Sequence, residues 1–210
     1  MGKEIKYTVT IIEEDRIQNI VLNKFKKQRI LIGRSTNNDI VLNSLLVSPY
    51  HGFFELVDNK VRIVDNNSVN GLFVNNTKVI ETYLQDGDAI KIDNPANPLA
   101  MGVIMIVTLG ENLDEWQQYD LNSVKVTKIG RDPKSNIVLN HVSVPLNIAN
   151  IYKKDDKYVL TPVDTSNNIL INGNLLGGAV TLKDRDVILI ADAKLIYVHD
   201  RILYQMYDKG

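Results

Sequence analysis

Two stretches of this chain repeat one another about a hundred residues apart, and this duplication constrains the fold more than any other feature. Ile32-Gly33-Arg34 returns as Ile129-Gly130-Arg131, and Ile40-Val41-Leu42-Asn43 as Ile137-Val138-Leu139-Asn140, both at a spacing of 97 residues. Val74-Asn75 returns as Ile171-Asn172 at the same spacing. Leu84-x-Asp86-x-Asp88-x-Ile90 returns as Leu182-x-Asp184-x-Asp186-x-Ile188 one residue further on. Val47-Ser48 matches Val142-Ser143 at a spacing of 95, which implies a loop two residues shorter in the second copy. Ordered blocks with so little drift describe one unit used twice, since solenoid repeats are shorter and more numerous. A chain of 210 residues holds two such units and little else.

Within each copy, short apolar runs alternate with polar residues. Tyr7-Thr8-Val9-Thr10-Ile11 has period two, and Lys60-Val61-Arg62-Ile63-Val64 begins the same way. Asn, Asp and Gly clusters such as Asp65-Asn66-Asn67, Asn75-Asn76 and Asn172-Gly173 separate the runs. No long stretch carries helical periodicity, so the pattern predicts an all-β chain built as sandwiches or barrels. Asp93-Asn94-Pro95-Ala96-Asn97-Pro98 would interrupt any ladder and suits a connector, which places the units at 1–98 and 99–210. The run Val103 to Leu109 fits either unit. Ile104 stands 97 residues after Tyr7, which favours the second.

Several function classes fall away at this point. The net charge of -1 gives no general attraction to nucleic acid or anionic lipid. The absence of cysteine removes disulfides and thiolate metal sites, and fits a reducing, cytoplasmic setting. No run of residues reaches the length of a membrane-spanning helix, and the first residues lack the pattern of a signal peptide. His51, His141 and His199 have no partners at metal-ligand spacing, so neither a metal nor a cofactor is expected. Ser48 with His51 three residues on hints at a nucleophile and base. No acid or oxyanion partner completes them, and no catalytic residue is assigned. Lys24, Lys26, Lys27 and Arg29 form a local basic cluster that reads as a solvated loop.

The first copy carries, in order, Gly33-Arg34, Asn38-Asp39-Ile40-Val41-Leu42, Val47-Ser48-x-x-His51, Ser68-x-Asn70-Gly71, Val74-Asn75 and Leu84-x-Asp86-Gly87-Asp88. This ordered set resembles the forkhead-associated (FHA) domain family. The resemblance implies two tandem β-sandwiches of about eleven strands each, with loops at one end that bind a phosphothreonine peptide. In that reading Arg34, Ser48 and Asn70 contact the phosphopeptide, while Gly33, His51 and Gly71 support the site. The chemistry agrees. A guanidinium fork suits phosphate oxygens, a hydroxyl can donate to another, and a carboxamide both donates to and accepts from an extended peptide backbone. Gly33 would free the backbone beside Arg34, and Gly71 would permit the turn that aims Asn70. Val69, Leu72 and Pro49 stand where the family often has polar side chains. Losing three hydrogen bonds at about 0.5–1.5 kcal/mol each lowers affinity by about one to three decades.

The second copy keeps Arg131, Ser143 and Asn167 as a degenerate site. Leu146 stands at the expected histidine position and Asn168 at the glycine, so loss of phosphate recognition is expected. A tandem pair with an eroded second member resembles the cytosolic N-terminal region of FtsK/SpoIIIE-type ATPases of type VII secretion systems. That resemblance implies a regulatory, non-enzymatic module within a longer, membrane-attached protein. Its partner would be a phosphothreonine-containing protein or a secretion-system component. The alternative is a phosphate-independent assembly module of a larger complex. A carbohydrate-binding sandwich is disfavoured, because only 7% of residues are aromatic and such sites need aromatic platforms.

Overall fold

The computed structural model describes residues 6–13, 16–94, 96, 102–109, 116–166 and 168–206. The chain divides into two units, Met1–Asn112 and Leu113–Gly210. The first contains β1 (Tyr7–Glu13), β2 (Arg16–Val21), β3 (Arg29–Gly33), β4 (Ile40–Val41), β5 (Gly52–Val57) and β6 (Lys60–Asp65). It continues with β7 (Leu72–Val74), β8 (Thr77–Val79), β9 (Glu81–Tyr83), β10 (Ala89–Ile92) and β11 (Val103–Leu109). A six-stranded sheet runs β2-β1-β11-β10-β7-β8 and a five-stranded sheet β4-β3-β5-β6-β9. The eleven strands and the all-β class agree with the expectation from sequence.

Alternation explains the strands, and turn chemistry explains their register. Ile30, Ile32, Phe54, Val61 and Ile63 of the five-stranded sheet meet Leu72, Ile90, Ile92, Val103 and Met105 of the other in one apolar core. Asp58-Asn59 and Asn75-Asn76 all adopt positive φ. They close two-residue hairpins that pair Val57 with Lys60 and Val74 with Thr77, the geometry whose twist matches that of the strands. On the outer face Glu55 takes Arg29 Nε at 2.8 Å and Arg62 Nε at 2.6 Å, and these hydrogen bonds hold its carboxyl below the usual carboxylate range. Lys27 pairs with Asp39. Two members of the basic cluster are thus structural.

The second unit contains β12 (Gln117–Asp120), β13 (Val126–Gly130), β14 (Ile137–Val138), β15 (Ala149–Lys154), β16 (Lys157–Pro162) and β17 (Ile169–Ile171). It ends with β18 (Asn174–Leu175), β19 (Val180–Thr181), β20 (Val187–Ile190), β21 (Ala193–Val198) and β22 (Arg201–Met206). Its sheets run β12-β22-β21-β20-β17-β18 and β14-β13-β15-β16-β19. Ile129, Ile137, Leu160, Ile169, Ile188, Leu195 and Ile202 form its core.

The two copies differ in how one slot is filled. In the first unit the N-terminal strand β1 lies between β2 and β11; in the second, the C-terminal strand β22 lies between β12 and β21. His199 and Asp200, both at positive φ, turn the chain back so that Val198 faces Arg201 and β22 enters that slot. This corrects the boundary at 98/99. Val103–Leu109 pairs with β1 over seven residues and with β10 over four, as the last strand of the first unit. The similarity of Ile104 to Tyr7 arises because both strands are apolar neighbours in one sheet. The segment with Pro95, Asn97 and Pro98 joins β10 to β11 in sequence and lies outside the described residues.

Candidate functional site at the loop end of the first unit

Arg34 follows directly from β3. Its backbone N–H donates to Ser48 O at 3.0 Å and its Nε to Val47 O at 3.3 Å. The side chain is exposed, and its terminal nitrogens make no hydrogen bond among the described residues. Ser48 donates its N–H to His51 Nδ1 at 3.0 Å, and its Oγ accepts from Val69 N at 3.0 Å. Its hydroxyl proton therefore remains available to a ligand. Asn70 Nδ2 donates to Leu46 O at 2.7 Å, which leaves Oδ1 to accept from a ligand N–H. The three residues predicted to contact phosphopeptide are thus tied to one short segment, Leu46 to Ser48.

His51 is fully buried. With Nδ1 accepting the Ser48 N–H, the ring proton sits on Nε2 and donates to Gly71 O at 3.2 Å. Both nitrogens are satisfied only in the neutral ring, and burial pushes the imidazole below its ordinary pKa. His51 thus joins the serine loop to the glycine after Asn70. Gly71 has φ +80°, and its N–H donates to Ser68 Oγ at 3.0 Å. The turn therefore favours glycine for its conformation.

Gly33 works otherwise than expected. A Cβ there would stand 2.4 Å from Pro49 O and 2.9 Å from the backbone nitrogen of His51. The missing side chain permits close passage of the serine loop, rather than freeing the backbone of Arg34. Gly33→Ala should therefore destabilise the first unit by about 2 kcal/mol or more, because two of the three obstructing atoms are backbone and the third, Asn38 Nδ2, is held by its own hydrogen bonds. Thermal denaturation measures this, and an unchanged midpoint would refute the close-approach role.

The sequence reading missed three supports. Asn38 Nδ2 donates to Ser35 O at 2.8 Å and to Pro49 O at 2.7 Å. Asp65 accepts both Ser68 N–H and Ser68 O–H, and so shapes the turn before Asn70. Glu13 reaches the start of the serine loop from β1. The Asn38-Asp39-Ile40 motif signalled the first of these, whereas nothing local signalled Glu13.

The second unit corrects the assignment of Ser143. Arg131 N donates to Pro145 O at 2.9 Å, as Arg34 N does to Ser48 O. Arg131 Nε donates to Val144 O at 3.0 Å, as Arg34 Nε does to Val47 O. Ile148 N donates to Ile129 O, as His51 N does to Ile32 O. A Cβ on Gly130 would stand 2.2 Å from Leu146 O, the counterpart of Pro49 O. The 97-residue spacing therefore holds through the loop, which is not shortened. Pro145 stands at the serine position and Ile148 at the histidine position, rather than Ser143 and Leu146.

Ser143 occupies the slot of Leu46. Its N–H and hydroxyl both meet His141 Nδ1, at 3.3 and 2.6 Å, and His141 Nε2 lies 3.5 Å from Asp192 Oδ2. The same turn in the first unit is the donation of Leu46 N to Ser44 Oγ at 3.2 Å, so the imidazole caps a loop. Asn167 lies outside the described residues.

Matching hydrogen bonds in two copies, each with arginine directly after a glycine that a loop carbonyl crosses, join the motif order to one architecture. The FHA domain family model matches residues 30–93 and 127–191. The chain belongs to the FHA family. A curated relative, the ABC transporter ATP-binding/permease protein Rv1747 of Mycobacterium tuberculosis, is 40% identical over 65 residues, covering 31% of this chain and 8% of that protein. The glycogen accumulation regulator GarA of the same species is 38% identical over 60 residues, covering 29% of this chain and 37% of GarA. The matches thus span well under half the length of these relatives. Among solved structures, the Slr1951 protein from Synechocystis aligns at TM-score 0.43 and 26% identity, covering 51% of this chain and 99% of that one. The N-terminal FHA domain of EssC, a component of the bacterial type VII secretion apparatus, aligns at TM-score 0.41 and 16% identity. That alignment covers 95% of this chain and 92% of the EssC chain.

Proposed function

We propose that the first FHA unit binds a phosphothreonine-containing partner through Arg34, Ser48 and Asn70, and that the second unit does not. One observation carries the reading. Arg34, Ser48 and Asn70 are tied to a single loop segment, while the Arg34 terminal nitrogens, the Ser48 hydroxyl proton and Asn70 Oδ1 remain unspent. A cationic fork and a hydroxyl donor answer a phosphate, and a carboxamide oxygen answers the N–H of the peptide that carries it. Leu45 and Val69, 87% and 86% exposed, border this edge and offer apolar contact to residues flanking the phosphate.

In the second unit Pro145 has neither hydroxyl nor N–H to offer. Arg131→Ala should therefore leave phosphopeptide binding by the full chain unchanged, with one peptide bound per chain. Calorimetry giving two peptides per chain, or an affinity that falls with Arg131→Ala, would overturn this assignment. The second unit instead suits a phosphate-independent contact, since Val142 and Leu146 stand 86% and 58% exposed at its loop end.

The wider context belongs to the same proposal. Among the described residues no helix is long and apolar enough to cross a membrane. Three runs, Asp186 to Ile188, Ala193 to Tyr197 and Ile202 to Tyr204, resemble the last part of the cytosolic tandem in type VII secretion ATPases and support, weakly, a regulatory module of such a protein. The full coding sequence tests this: membrane segments and phosphate-binding nucleotide loops after residue 210 are expected, and their absence would overturn the context.

A further inference from the structure

We infer that Glu13, on the first strand of the first unit, is a positioning residue that holds the start of the phosphate-reading loop. The residue is 7% exposed, although it stands at a strand end. Oε1 accepts the N–H of Asn43 at 2.7 Å and lies 3.4 Å from the N–H of Ser44, while Oε2 lies 3.5 Å from Asn43 Nδ2. A carboxylate on backbone N–H groups makes the stronger, charge-assisted kind of hydrogen bond. The loop that follows carries Leu46 O, Val47 O and Ser48, which Asn70, Arg34 and His51 hold. Glu13 supplies an anchor at the end where the chain leaves β4.

The second copy shows what the same loop does without this anchor. Strand pairing brings Glu13 opposite Val103 and Met206 opposite Ala193. Val103 and Ala193 in turn face the matched residues Ile92 and Ile190. Met206 therefore occupies the position of Glu13, on the strand that arrived from the other end of the chain, and packs against the apolar core of its unit. Without a carboxylate there, the N–H of His141, the counterpart of Ser44, turns back to Leu139 O at 2.9 Å. The strand that fills this slot in the second unit thus carries a methionine where the first unit has the loop anchor.

Glu13 also explains why an acidic residue is tolerated near a phosphate-reading edge. Its charge is spent on N–H groups at the far end of the loop, so it shapes the loop while Arg34 faces outward. Its effect on binding rests on the proposed phosphopeptide reading; its hold on the loop does not.

The test uses the full chain with Glu13→Ala and Glu13→Gln. In the free protein, Glu13→Ala should raise amide exchange at Asn43 and Ser44 by about ten- to a hundred-fold, with a smaller rise at Ser48. Glu13→Gln keeps one acceptor oxygen and should recover part of the protection. A phosphothreonine peptide selected from a library should bind Glu13→Ala about ten-fold more weakly at a temperature where the first unit stays folded. Unchanged exchange at all three amides would overturn the inference outright. Faster exchange with wild-type peptide affinity would overturn the positioning role. If the wild-type chain binds no phosphopeptide, the functional reading fails, and the Ser48 amide still decides whether Glu13 holds the loop.

Discussion

Arg34→Ala should weaken binding of a phosphothreonine peptide by about ten- to a hundred-fold or more, the largest effect expected of any single change at the site. The guanidinium is exposed, its Nε is tied to Val47 O, and its terminal nitrogens are unspent among the described residues. A charge-assisted contact to phosphate is worth about 1.5–3 kcal/mol, which sets the expected factor. Fold stability should change little, because the variant loses only one side-chain bond to a loop carbonyl. The unphosphorylated peptide should not bind either protein. Affinity should also fall with added salt, since an exposed charge pair is screened. Calorimetry with the paired peptides measures all of this. Equal affinity for Arg34→Ala and wild type, or no binder in a broad phosphopeptide library, would hand the function to the assembly-module alternative.

His51→Ala should act through the fold. The wild-type ring is fully buried and joins Ser48 N–H to Gly71 O. The substitution empties a core position and leaves both backbone groups without their partner. It should cost about 2–4 kcal/mol and lower the melting midpoint of the first unit by about 10–20 °C. Peptide affinity should fall with it. The second unit, with Ile148 in this place, should keep its midpoint.

A pH effect follows from the same ring. Burial depresses the His51 pKa below its unfolded value of about 6.5, so the unfolded chain takes up the proton first. The stability that His51 confers is thus fully present above about pH 6.5 and drains away as pH falls through that value toward the lower, folded one. A wild-type stability advantage over His51→Ala that is the same at pH 5.5 and pH 7.5 would show that the ring is not held neutral.

Much of this protein was legible in its letters because the relevant physics is local. Period-two alternation and paired Asn and Asp residues mark strands and two-residue hairpins whatever lies far away. Arg34, Ser48, His51, Asn70 and Gly71 occur in the order of the FHA motif set. The structure ties Arg34, Ser48 and Asn70 to one loop segment and joins that loop to Gly71 through His51. Gly33 was recognised for the wrong reason, since a close approach by Pro49 O is a fact about a partner strand and loop.

What tertiary structure alone decided is which distant segment fills which place. A Val-Ser pair attracted Ser143 to the serine position, yet sequence identity over two residues carries no hydrogen-bond register. The carbonyls that meet Arg131 show Pro145 there instead. Val103–Leu109 reads equally well as a first or a last strand, because an apolar strand has the same periodicity in either role. Pairing with β1 and β10 settles its membership. The exchange of β1 for β22 is likewise silent in the sequence. A strand slot asks for an alternating pattern and a direction, and a hairpin from the C-terminus supplies both as well as an N-terminal strand does. Glu13 and Met206 therefore share a place in space without sharing one in the repeat.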